Sequence, residues 1–224
     1  MRYRCWDMKH YALFTGLILA TVPAFYIHTL SVSETAAIGV SLLLMVFLSR
    51  YEVPVFNWRT KNPAPSFGET EVLEKLFFAP LSKGVSKSRV FESSITLNVG
   101  GFILPLILSL YLVTINFDMA FLEIAAIMVI LTYFLSEFID TVGVSVPHYI
   151  GLFALPLAHI LAPENAAVVV FTGGFVGIVL GVFATIISMN RERQGSAYLC
   201  IGGVGSFQAV FVTALLAMVI GSVV

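Results

Sequence analysis

Ile201-Gly202-Gly203-Val204-Gly205-Ser206-Phe207-Gln208 places three glycines and two side-chain hydrogen-bonding residues inside the most apolar part of a 224-residue chain. Glycine lets backbones approach closely and tolerates positive φ, so within a bilayer such a run is either a helix-packing face or a break lining a cavity. Its surroundings decide the fold class. The chain is 58% hydrophobic and 11% charged, less than half the roughly 25% charge of soluble domains, and its mean hydropathy is +0.96. A soluble core would have nowhere to hide nineteen Phe and eight Tyr, so these features predict an integral membrane protein.

Outward from that run, the apolar segments Tyr11 to Leu30, Val32 to Ser49, Ile95 to Ile115, Met119 to Phe138, Val146 to Ala162, Ala166 to Ser188 and Ala197 to Val224 predict seven spans. Each is near or above the roughly 17 residues that cross a hydrocarbon core, the second and fifth being marginal. The first resembles a signal peptide at Val22-Pro23-Ala24, but it continues to Leu30, too long for a signal h-region. Placing the N-terminus inside puts all 12 Lys and Arg in the cytoplasm: Arg2, Arg4 and Lys9, then Arg50 to Arg89, then Arg191 and Arg193. The external links at Ser31 to Glu34, Asn116 to Asp118 and Pro163 to Asn165 carry none. This segregation predicts an all-α, polytopic transmembrane helical bundle of about seven spans, with the N-terminus cytoplasmic and the C-terminus external. Residues 1–224 form a single membrane domain with a cytoplasmic loop at about 50–94. Trp6, Tyr51 and Trp58 suit interface anchoring.

The loop alone has soluble-like composition. Ser66-Phe67-Gly68-Glu69 has capping-box spacing ahead of Val72, Leu73, Leu76 and Phe77, which share one face of a short helix that Pro80 ends. That helix is either a docking element or, more simply, an interfacial helix with Lys83, Lys87 and Arg89 near anionic headgroups. The sequence contains no phosphate loop, zinc spacing or nucleophile elbow, so no cofactor and no metal are expected. Cys5 and Cys200 are read as a cytoplasmic thiol and a buried one, and four scattered histidines make no metal motif. The net charge of -1 excludes a generic nucleic-acid binder.

Polar residues inside spans are the functional suspects. The third span opens with Asn98-Val99-Gly100-Gly101, and the sixth carries Gly173, Gly174, Gly177 and Gly181, with small residues spaced by four on one face. Gly100, Gly181 and Gly202 lie at a common depth of ~8–12 Å from the cytoplasmic side. They predict either a close-packed centre or a cytoplasm-facing cavity lined by Asn98, Gly101, Gly203, Gly205, Ser206 and Gln208. Glu137 and Asp140, followed by His148, form an ion or proton site if desolvated together, and are otherwise hydrated carboxylates at a span end. Pro147 and Pro156 predict a kinked or half-length fifth helix.

Asn98-Val99-Gly100-Gly101-Phe102-Ile103-Leu104-Pro105 resembles a segment of a prokaryotic family of polytopic membrane proteins, domain of unknown function family 1614. Val144-Ser145-Val146-Pro147, the glycine-rich sixth span and Ile201 to Phe207 resemble its later blocks in the same order, over roughly Ser41 to Val219. The resemblance implies aspartates where this chain has Phe183 and Gln208, and Asn-Ile-Pro where it has Glu52-Val53-Pro54. Paired aspartates beside glycines would be similar, by analogy of fold, to intramembrane aspartyl proteases such as presenilin. Neither Phe183 nor Gln208 can act as an acid or base.

The leading expectation is a non-enzymatic protein that binds or transports an ion or small solute in a pocket between spans three, six and seven. The alternatives are an inactive protease-like fold, a hydrolase using Glu137 and Asp140, and a structural membrane subunit with tightly packed glycine faces. The partners expected are the lipid bilayer, a small solute or ion, and further copies of the chain.

Overall fold

The computed structural model describes residues 32–59, 92–139, 142–189 and 198–223. The first predicted span, the capping box at Ser66, Cys5 and Asp140 lie outside the described residues.

Among the described residues the chain is mostly helical. The helices are α1 (Val32–Leu48), α2 (Leu104–Ile115), α3 (Ala120–Leu135), α4 (Ala154–Leu161), α5 (Ala166–Ser188) and α6 (Phe207–Val223). Helix α5 is the centre of the bundle and packs against α2, α3, α4 and α6. The helix running Pro163–Ser188 is the single described one long and apolar enough to cross a membrane by itself, and 83% of its most apolar window is buried inside the protein. The other apolar helices are shorter: Ile38–Leu48, Val99–Ile115, Ala120–Leu135, Ile150–Leu161 and Phe207–Ile220.

Small residues let α5 sit close to α3. A Cβ at Gly173 would lie 3.0 Å from Ile124 Cγ2, one at Gly177 would meet Met128 Cβ, and one at Gly181 would lie 2.7 Å from Thr132 Cγ2. The four-residue spacing of these glycines matches that of Ile124, Met128 and Thr132, as expected for a crossing built on small side chains. Both series ascend together, and the seam ends where Ser136 Oγ and Thr185 Oγ1 share a hydrogen bond of 2.8 Å. Helices α3 and α5 therefore run in the same direction.

The chain departs from the all-α expectation at the span ends. Strands β1 (Glu52–Arg59), β2 (Glu92–Asn98) and β5 (Tyr198–Ile201) form a sheet in the order β1-β2-β5, and β3 (Glu137–Ile139) pairs with β4 (Gly143–Ser145). Strand β1 is antiparallel to β2, with Glu52 opposite Asn98, and β2 is parallel to β5, with Thr96 opposite Cys200. Short apolar runs such as Ile95 to Leu97 and Leu199 to Ile201 carry no periodicity that separates a buried strand from the end of a helix. The predicted third and seventh spans therefore include these strands, and the predicted fourth span ends within Glu137 to Ile139. The segment predicted as a fifth span holds a half-length helix: a 3₁₀ turn at Ile150–Phe153 leads into the eight residues of α4.

Candidate functional site

Two strands of the three-stranded sheet run directly into helices, and the two junctions touch. At the first, Asn98 ends β2 and a π-helical turn (Val99–Ile103) leads into α2. The Asn98 side chain is fully buried. Its Oδ1 accepts from the Gly101 N–H at 2.8 Å, while its Nδ2 donates to the Ser49 carbonyl at 2.7 Å, just beyond the end of α1. One amide thus satisfies groups on two segments that end or begin helices, where orphan donors and acceptors collect.

At the second junction, Gly202 to Ser206 link β5 to α6. Gly202 and Gly205 adopt φ of 72° and 92°, a left-handed backbone that other L-residues rarely adopt. The Gly202 N–H donates to Ser206 Oγ at 3.0 Å, and the Gly203 carbonyl accepts from Ser206 N–H at 3.1 Å and Phe207 N–H at 2.8 Å. The Gly205 carbonyl accepts from Val146 N–H at 2.8 Å, tying the turn to the segment after β4.

The contact between the junctions is backbone on backbone. A Cβ at Gly202 would stand 2.6 Å from the Gly101 carbonyl oxygen, and a Cβ at Gly101 would land on the Gly202 carbonyl oxygen. Gly100 lies against Met45 to Ser49 of α1 and its C-terminal turn, and a Cβ there would be 2.5 Å from Ser49 N. Asn98, Gly100, Gly101, Gly202, Gly203 and Ser206 are all buried and belong to this centre, with Gly205 at its margin.

The remaining predicted residues lie elsewhere. Gly181 faces Thr132 and Val129 on α3, so the three glycines expected at one depth divide between two seams. Gln208 is exposed, and Glu137 and His148 are also exposed, His148 lying edge-on to Tyr149 at 5.7 Å. At the two positions read as departures from an aspartate pattern, Phe183 packs edge-on against Phe102 at 6.4 Å and 71°, and Gln208 begins the outer face of α6.

Sequence reasoning missed a polar group beneath the sheet. Glu52 on β1 reaches Cys200 on β5, whose thiol donates to Glu52 Oε1 at 3.3 Å. Gly203 leaves room for the sulfur, since a Cβ there would overlap Cys200 Sγ. Thr96, opposite Cys200 in the register, is buried beside this pair. The signal for it is the alternation of Thr96 and Asn98 on β2, too short a run to separate a strand from the end of a helix.

Among the described residues no group of three or more His, Cys, Asp and Glu could hold a metal ion. Compared with known proteins, residues 46–220 match the model of a family described as protein of unknown function (DUF1614). No curated protein and no solved structure matches.

Proposed function

The chain belongs to the DUF1614 family, and we propose that it is a multi-pass membrane protein whose closed strand–helix junction serves structure, making it a non-catalytic scaffold or assembly subunit. The observation that carries this reading is the fit at the junction. The Cβ positions of Gly100, Gly101 and Gly202 are occupied by backbone of the facing segment, and Asn98 and Ser206 hydrogen-bond within the protein.

The exterior supports the membrane placement. A helix facing water carries a polar outer stripe, whereas the exposed positions here include Ile107, Leu110 and Tyr111 on α2, Ile130 and Phe134 on α3, Ile160 on α4 and Ile187 on α5. Apolar surface spread over so many helices suits lipid contact. The directions of the chain support the threading. With the N-terminus inside, the spans containing α3 and α5 both descend toward the cytoplasm and those containing α2 and α6 both ascend, in keeping with the parallel α3–α5 seam and the parallel β2–β5 pair. Each short helix is extended by a π-helical, 3₁₀ or strand segment, and such irregular backbone is tolerated at membrane depth where protein buries it.

A second reading, binding or transport of an ion or small solute through a cytoplasm-facing pocket, is favoured by the broken chain at both junctions. Thermal unfolding of the purified protein during titration with inorganic ions and small polar solutes separates the two. The scaffold reading predicts an unchanged melting temperature, and a saturable increase would favour solute binding. Acid–base hydrolysis at Phe183 and Gln208 has no carboxylate to work with.

A further inference from the structure

We infer that β1 and the residue before it, Tyr51, form an interfacial anchor, an edge strand lying in the headgroup region of an anionic bilayer. The inference rests on the multi-pass reading. Val40, Leu44 and Phe47 are exposed on α1 at spacings of four and three, so they share one face of the helix. The stripe does not stop with the helix. Tyr51 is 50% exposed, and Val53, Val55 and Phe56 on β1 are 44%, 52% and 49% exposed. No linker intervenes, because Ser49 N–H donates to Met45 O at 2.9 Å and Tyr51 N–H to Leu48 O at 3.0 Å, turning the chain directly from helix into strand.

The geometry of the strand selects this occupant. Among the described residues strand β1 lies at the edge of its sheet, and an apolar edge in water invites pairing with another strand. Here Pro54 and the register shift between Pro54 and Phe56 break the regular ladder that strand addition requires. An open edge cannot sit in the hydrocarbon core, where its peptide groups would go unbonded, but headgroups and water satisfy them at the interface. The charges complement an anionic surface. Arg50 is exposed at the start of the segment, Arg59, opposite Glu92 of β2, and Lys61 follow its apolar part in sequence, and no acidic residue occurs in the chain from Val53 to Gly68. Glu52, the acidic residue of the strand, is directed to the Cys200 thiol.

The test uses the full chain with Trp6→Phe and Trp58→Phe, carrying one new tryptophan and reconstituted into phosphatidylcholine vesicles with about 30% phosphatidylglycerol. Lipids brominated near the carboxyl end or near the methyl end of the acyl chain report depth. Val53→Trp is expected to be quenched roughly twofold more by the shallow bromines than by the deep ones, with Val55→Trp reading the same surface if the first variant folds poorly. Val40→Trp, near the middle of α1, is expected to respond most to the deep bromines. If Val40→Trp is quenched while Val53→Trp and Val55→Trp are not, the anchor is overturned and the multi-pass reading stands. If none is quenched, both fall. An equal shallow quench in pure phosphatidylcholine would overturn the role of anionic lipid.

Discussion

Asn98 Nδ2 donates to the carbonyl oxygen of Ser49 at 2.7 Å, so a fully buried side chain at the end of β2 holds the C-terminal turn of α1. Because its Oδ1 also accepts from Gly101 N–H, the same amide sets the start of the helix that follows. Asn98→Ala leaves a buried acceptor and a buried donor unsatisfied and is expected to cost about 2–4 kcal/mol in chemical unfolding. Ser49→Ala should cost less, about 1 kcal/mol or below, because Asn98 binds the Ser49 main chain and only the Oγ bond to Val46 O is lost. Equal costs would show that the amide is not the fastening.

Gly101 and Gly202 meet through their backbones, and Gly202 also requires a φ of 72°. Gly202→Ala combines left-handed strain with overpacking and should destabilise by roughly 2–5 kcal/mol. Gly101→Ala should act through overpacking alone. Melting temperatures of the two variants check the order, with Gly202→Ala the lower.

On α5, Gly177→Leu is expected to separate α3 from α5 and abolish a folded monodisperse product in size-exclusion chromatography, because Met128 Cβ occupies the space a side chain would need. Leu180→Ala, at an exposed position of the same helix, should change unfolding free energy by about 0.5 kcal/mol or less.

Much of the helical framework was legible in the sequence, because apolar length is a property of whole segments. The segment Ala166 to Ser188 coincides with α5, and Val32 to Ser49 differs from α1 by one residue. The glycine spacing on α5 pointed correctly to a close crossing, since small residues four apart can serve only one face. The strands were not legible. Ile95 to Leu97 and Leu199 to Ile201 are too short for a period to emerge, and they become strands only because each finds the other in space, the first also pairing with β1. For the same reason the expected grouping holds Asn98, Gly100 and Gly202 together but wrongly includes Gly181 and Gln208, and it misses the link to Glu52 and Cys200. That link joins residues 148 positions apart through a sheet that the all-α reading excluded.

The central claim is that the junction between Asn98 and Ser206 is closed to water. Its most direct test is modification of Ser206→Cys by a membrane-impermeant methanethiosulfonate in folded protein carrying Cys5→Ser and Cys200→Ala, with His148→Cys, at an exposed position, as the reactive reference. The closed junction predicts modification at least about a hundredfold slower than at the reference, and reaction only on unfolding. Rapid modification of the folded protein, at a rate near that of the reference, would contradict it and place a hydrated cavity where the glycines meet.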